Sequence, residues 1–84
     1  MTNEELDNKF INYSKKYPVE TCVFHNDIHS ILNLPYYLKL VVSIYVDKAE
    51  GDPNIDHINS LRIEKQGDHG HAIYYSYIPK NDLI

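Results

Sequence analysis

The alternation of hydrophobic and polar positions is most regular in the middle of the chain. Over residues 36–47, every even-numbered position between Leu38 and Val46 is aliphatic, whereas the odd-numbered positions are mixed. Because successive side chains of a β-strand point to opposite faces, a period of two predicts a strand with one apolar face. We therefore expect residues 36–47 to form a long strand of an antiparallel sheet that is covered on one face only.

Two later segments show the same period of two. In residues 59–65, Leu61 and Ile63 are expected to face the core and their charged neighbours to face solvent. Residues 71–78 follow after a glycine-containing turn and predict a third strand, and such short connections favour an antiparallel meander. Residues 21–25 are a candidate for a fourth, short strand because β-branched and aromatic residues favour extended backbone.

The first part of the chain has a helical period instead. Thr2 is followed three residues later by Glu5, the spacing of a capping box that satisfies free amides of a first helical turn. Pro18 disfavours helical geometry at the residue before it and so ends the helix. The predicted buried stripe consists of Leu6, Phe10, Tyr13 and Tyr17. The predicted fold is a single two-layer α+β domain over residues 1–84, in which this helix packs on a small three-stranded sheet.

Composition narrows the classes of function. With 84 residues the chain has room for one core, and a chain this short buries only roughly 60–65% of its unfolded surface. Twelve acidic against eight basic residues give a net charge of −4, which weighs against nucleic acid as a partner, because phosphate neutralisation supplies most of that affinity. The apolar runs are too short to cross a bilayer and no secretion signal is visible, so we expect a cytoplasmic protein with no membrane partner.

Two histidine pairs are the clearest candidates for metal chemistry. His25 and His29 are four residues apart, and His69 and His71 are two apart, spacings that suit one face of a helix and of a strand. With the single cysteine they supply the atom types that zinc prefers. However, a cap signal at residues 26–27 places the start of a brief helix after His25, and His69 lies in a glycine-flanked turn. We interpret these histidines as solvated and expect no cofactor, with a zinc-type site as the alternative.

The tyrosines suggest a binding surface. The chain has eight of them, more than one small core can hold. On the predicted sheet, Tyr37, Tyr45 and Tyr74 fall on the outer face together with Lys39 and Arg62. Exposed tyrosine provides a large contact area at low entropic cost and is enriched at protein interfaces. The plainer interpretation is that these tyrosines only cover a one-sided sheet.

These observations favour a small non-enzymatic protein that binds another protein by steric docking. The chain contains no phosphate-binding loop, no dinucleotide fingerprint and no nucleophile elbow. An inhibitor, immunity or adaptor protein would need only area and complementarity, and the Asn-, Lys-, Ile- and Tyr-rich composition is of a kind common in phage and mobile elements. Docking is expected through the tyrosine-bearing sheet face or an exposed edge strand, where a homodimer is a further possibility.

Overall fold

The computed structural model describes residues 1–17 and 24–82, and these residues form an α+β fold, as predicted. The described part contains three α-helices and one two-stranded antiparallel sheet. In chain order the elements are α1 (Asn3–Lys16), α2 (Phe24–Leu32), α3 (Tyr36–Gly51), β1 (Ile55–Lys65), β2 (His71–Pro79) and a short 3-10 turn (Lys80–Asp82).

Helix α1 forms as its sequence predicts. The hydroxyl of Thr2 accepts a hydrogen bond from the backbone N–H of Glu5 at 3.1 Å, which caps the first turn. Leu6, Phe10 and Tyr13 are buried on one face, as the helical period indicates. The helix therefore begins and ends at the positions that local chemistry specifies.

The segment predicted to be the first strand of the meander is a helix, so that prediction was wrong. Helix α3 spans Tyr36–Gly51 and buries Leu38, Val42 and Val46, which are spaced four apart. A spacing of four is compatible with a period of two as well as with a helix, and this is why the pattern misled. Ile44 separates the two interpretations: it would face the core on a strand, yet its side chain is 64% exposed here.

The two remaining predicted strands form a hairpin, and β1 begins four residues earlier than expected. Its pairs include Leu61 with Tyr75 and Arg62 with Tyr74, and two irregularities in register lie near the start of β1. At the turn, the N–H of His69 donates to the carbonyl of Gln66 at 2.9 Å, and Gly67 takes a φ of 56° that other residues rarely adopt. The sheet is thus a hairpin rather than a meander in the described part of the chain.

All three helices contribute to one layer over the inner face of the hairpin. The core consists of Leu6, Phe10, Tyr13, Ile31, Val42, Val46, Ala49, Ile58 and Leu61. The hydroxyl of Tyr13 accepts a hydrogen bond from the buried N–H of Ile58 at 2.9 Å, which connects α1 to β1. The candidate fourth strand lies mostly on residues outside the described ranges, and its last two residues, 24–25, belong to α2.

Candidate functional site

The outer edge of β2 carries backbone groups that pair with no other described element. At the end of the hairpin the N–H of Gln66 donates to the carbonyl of Gly70 at 2.8 Å. Hydrogen-bonded and non-hydrogen-bonded pairs alternate along an antiparallel ladder, so the N–H groups of Ile73 and Tyr75 point away from β1. Within residues 1–17 and 24–82, no backbone hydrogen bond from another element reaches these two groups. As far as residues 1–17 and 24–82 are concerned, this edge of the sheet is therefore open to an added strand.

The side chains of β2 do not protect this edge. Strands at the edge of a sheet usually carry charged residues, prolines or bulges that prevent association with other strands. Strand β1 has such features, with four charged side chains and two irregularities of register. Strand β2 (His71–Pro79) contains no aspartate, glutamate, lysine or arginine, and its proline is its last residue. Only one of the two strands therefore offers an unprotected edge.

The outer face of the hairpin is polar with one exposed aromatic residue. The guanidinium of Arg62 lies 4.9 Å from the ring centre of Tyr74, and its Nε is 3.0 Å from Glu64 Oε1. The hydroxyls of Ser60 and Ser76 are hydrogen-bonded at 2.8 Å across the strands. The side chain of Tyr74 is 48% exposed beside the open edge. Arg62 and Tyr74 therefore lie on the outer face as predicted, and their role in binding a partner stays a prediction.

The predicted five-residue surface does not form, because three of its members lie on α3. Lys39 is only 4% exposed, and its ammonium contacts Asp7 Oδ1 at 2.8 Å and Asn3 Oδ1 at 3.2 Å. Its predicted exposure on a strand was wrong, since on a helix this position faces α1. The side chain of Lys39 therefore connects two helices and does not line a sheet surface.

The two tyrosines predicted beside Lys39 are also separated from the outer face. The ring of Tyr45 packs on Tyr75 with centroids 4.2 Å apart. Tyr75 and Tyr74 are adjacent on β2 and so face opposite sides of the sheet, which places Tyr45 on the inner side. Tyr37 is exposed, but its ring lies beside His71, with centroids 6.5 Å apart. The outer face consequently keeps Arg62 and Tyr74 alone of the predicted set.

The four histidines of the alternative metal site are distributed over α2, the hairpin turn and the start of β2. Positions 25 and 29 both fall in α2, which begins before the predicted cap, so the expectation that the helix starts after His25 was wrong. His29 is exposed on α2, His69 lies in the hairpin turn and His71 begins β2. Among the described residues, no three histidine, cysteine, aspartate or glutamate side chains come together closely enough to hold a metal ion. The lone cysteine falls outside the described ranges.

A fifth histidine, which the sequence pattern did not single out, is buried at the junction of α1 and β1. His57 is 3% exposed, and its Nδ1 lies 2.6 Å from Asp56 Oδ2. The ring of Tyr17 packs against His57, and its hydroxyl donates to the carbonyl of Asp56 at 3.1 Å. These contacts join the end of α1 to the start of β1.

One tyrosine of the inner face has a perturbed pKa. Burial raises the pKa of Tyr77 above its ordinary value of 10.0, because the phenolate would lose hydration, and neighbouring Tyr75 and Tyr45 raise it further. Its hydroxyl is buried and makes no hydrogen bond of ordinary geometry with any residue that the structure describes, although a weak contact with Tyr75 contributes to the raised pKa. Tyr77 therefore contributes packing, with a polar atom that is not satisfied.

The sequence contains one feature that indicates the open edge, and the hydrophobic alternation does not reveal it. Residues 71–79 lack charged side chains over nine consecutive positions, which is unusual for an edge strand. The lack of charged residues is informative only if the strand is known to lie at an edge of the sheet. The sequence predicted three strands without their order, so it did not show which strand lies at an edge.

None of the described helices is both long enough and apolar enough to cross a membrane. No protein-family model, curated protein or solved structure matches this chain.

Proposed function

We propose that this chain is a small protein-binding module that captures an extended segment of a partner protein along the edge of β2. The observation that carries the proposal is the free edge itself, where outward N–H groups at Ile73 and Tyr75 stand in a strand without charged side chains. Addition of a strand satisfies such groups, and the backbone hydrogen bonds contribute affinity. Docking of this kind needs no reactive group, which suits an inhibitor or adaptor.

The outer face beside the edge supports the same role. Arg62 and Tyr74 form a cation–π pair next to the edge, and both residue types are enriched among the residues that dominate protein interfaces. Because β2 is uncharged, specificity would come from side chains of the partner that reach this pair. A two-stranded sheet is also thin by the standard of independently stable sheets, so a third strand would stabilise it.

Lysine substitutions on the two hydrogen-bonded serines test the proposal. Ser76 lies on β2 and Ser60 lies opposite it on β1, on the same face of the sheet. Ser76→Lys places a solvated charge at the open edge, the device that natural edge strands use to prevent strand addition. Ser60→Lys removes the same hydrogen bond one strand further from the edge and serves as the matched control. Affinity capture from the native host should retain the partner with Ser60→Lys and lose it with Ser76→Lys.

Hydrogen exchange then locates the contact. The amides of Ile73 and Tyr75 should exchange rapidly in the isolated protein and become protected when the captured partner is added. Protection confined to α1 or α2, or equal capture by both lysine variants, would reject docking at this edge. Protection that appears in the protein alone at high concentration would identify a second copy of the chain as the occupant.

A further inference from the structure

A groove of about 390 Å³ lies on the other side of the hairpin, between the two strands and α2 with the turn that follows it. This volume falls in the range of roughly 300–1,000 Å³ typical of pockets for small ligands. Its apolar wall consists of Ile31, Leu34, Leu61 and Ile63. Ile31 and Leu61 are buried, whereas Leu34 and Ile63 are half-buried and accessible from the groove. The groove therefore offers an apolar surface to a small-molecule ligand.

Two polar side chains of the groove lie at the turn end of the hairpin, and Arg62 and Ser30 also line the groove. Lys65 and His71 both line it and are cross-strand partners at the turn end of the hairpin. Alternation along the strands places them on the same face as Leu61 and Ile63. The hydroxyl of Tyr37 lies 3.5 Å from His71 Nδ1, longer than an ordinary hydrogen bond, so both groups keep capacity for another partner. An ammonium and an imidazole thus line the same end of the groove, and the phenol of Tyr37 lies beside the imidazole.

The charge at this end is not neutralised within the described part of the chain. Lys65 has no ion pair with a carboxylate among those residues, whereas Lys9, Lys16 and Lys39 each have one. The nearest acidic side chain along β1, Glu64, points to the opposite face and pairs with Arg62. A cationic end on an apolar groove is notable in a chain whose net charge is −4.

We infer that this groove binds a small amphipathic anion, with its hydrocarbon body on the apolar wall and its carboxylate at Lys65, His71 and Tyr37. Burial of the alkyl chain provides the non-directional part of the affinity. The carboxylate accepts charge-assisted hydrogen bonds, which fixes the orientation of the ligand. The site is separate from the β2 edge, so its existence does not depend on the partner proposed above.

Titrations of the full chain with three eight-carbon probes test this inference by two-dimensional amide NMR. Octanoate, 1-octanol and octylammonium share one alkyl body and differ in the charge of the head. We expect saturable shifts at Ile31, Ile63 and Lys65, with octanoate bound most tightly and octylammonium least. Lys65→Gln should weaken octanoate about 3-fold and leave 1-octanol unchanged, since an exposed charge contact is modest.

Two further variants control for position and for folding. Lys48→Gln removes an exposed lysine from the last turn of α3 and should leave all three affinities unchanged. Ser30→Trp fills the groove from an exposed position on α2 and should abolish binding of octanoate and 1-octanol while the helical circular dichroism is kept. Equal affinity for octanoate and octylammonium, shifts on another surface, or no saturation would overturn the inference. The inference would also be overturned if the amide signals of Ile31, Ile63 and Lys65 shifted only when a captured protein partner is added.

Discussion

At the scale of single residues, two buried tyrosine hydroxyls differ in what they contribute. The hydroxyl of Tyr13 accepts a hydrogen bond from the backbone N–H of Ile58, a residue that is fully buried. The hydroxyl of Tyr77 makes no hydrogen bond of ordinary geometry with any described residue. A satisfied buried polar group stabilises the fold modestly, and an unsatisfied one costs free energy. The same chemical change should therefore have opposite effects at the two positions.

We predict that Tyr77→Phe leaves the free energy of unfolding at pH 7 unchanged or raises it by up to about 1 kcal/mol. The effect also depends on pH. Because the pKa of Tyr77 is raised in the folded protein, its contribution is fully present below about pH 10, the unfolded pKa. Above that pH the unfolded chain releases the proton more readily, and stability falls. Urea unfolding at pH 7 and at about pH 10.5 should show a smaller alkaline loss for the variant than for the parent.

Tyr13→Phe is the matched control for this prediction. It leaves the N–H of Ile58 without its tyrosine acceptor and should lower the free energy of unfolding by about 1–3 kcal/mol. An equal loss from both variants would show that the Tyr77 hydroxyl is satisfied in solution.

At the scale of elements, α3 is the segment where local preference and tertiary structure disagree. Its valines and isoleucine favour extended backbone, and its aliphatic even-numbered positions fit a strand. The helix instead buries two neighbouring stripes. One contains Leu38, Val42 and Val46, and the other contains Lys39 and Ser43, which face α1. Burial on two sides of one element favours the helix over a strand covered on one face.

We predict that Ile44→Ala raises the free energy of unfolding by a few tenths of a kcal/mol. Ile44 lies in the middle of α3 and is largely exposed, so the change loses little packing and gains helix propensity. In a strand the same change would destabilise, because alanine is depleted there. Thermal or urea unfolding measures the sign directly.

Val42→Ala provides the comparison on the buried side of the same helix. Val42 is fully buried, and its truncation should cost about 1–3 kcal/mol through lost burial and the cavity left behind. Similar losses at positions 42 and 44 would contradict the helical assignment.

At the scale of the whole molecule, three described ion pairs join α1 to α3, and those of Lys39 and Lys9 differ in burial. Lys39 Nζ lies 2.8 Å from Asp7 and its side chain is buried. Lys9 Nζ lies 2.5 Å from Asp47 and also contacts the hydroxyl of Ser43 at 2.7 Å, but Asp47 is largely exposed. A buried charge that loses its partner is expensive, whereas an exposed pair contributes little.

We predict that Asp7→Ala lowers the free energy of unfolding by about 1–3 kcal/mol, because it leaves the ammonium of Lys39 buried with Asn3 as its one remaining partner among the described residues. Asp47→Ala should cost about 0–1 kcal/mol. Replacing Lys39 with methionine in the Asp7→Ala background should restore much of the loss, since an apolar chain of similar length suits the buried position. Urea unfolding of the four proteins gives the comparison, and equal losses from the two aspartates would disprove it.

The hairpin separates the two proposed surfaces of the molecule. The open edge of β2 and the ring of Tyr74 lie on one side, the apolar groove with Lys65 and His71 lies on the inner side, and Arg62 borders both. Loss of partner capture with Ser76→Lys and loss of octanoate binding with Ser30→Trp can therefore be measured independently.

Local chemistry in the sequence was sufficient for α1 and for the hairpin. The Thr2 cap and the stripe of Leu6, Phe10 and Tyr13 specify a helix through contacts within a few residues, and alternation with a glycine turn specifies the two strands. These features depend on neighbours along the chain, so a sequence displays them directly.

Only the tertiary structure decided that residues 36–51 form a helix rather than a strand, and this choice also determined the candidate binding surface. An aliphatic run with residues four apart satisfies both periods, and the choice depends on which surfaces remain to be covered once α1 and β1 are in place. That choice buried Lys39, turned Tyr45 onto Tyr75 and left β2 at an edge. Local pattern therefore determined the elements with their own caps and turns, whereas packing between distant segments determined the surface that remains available for binding.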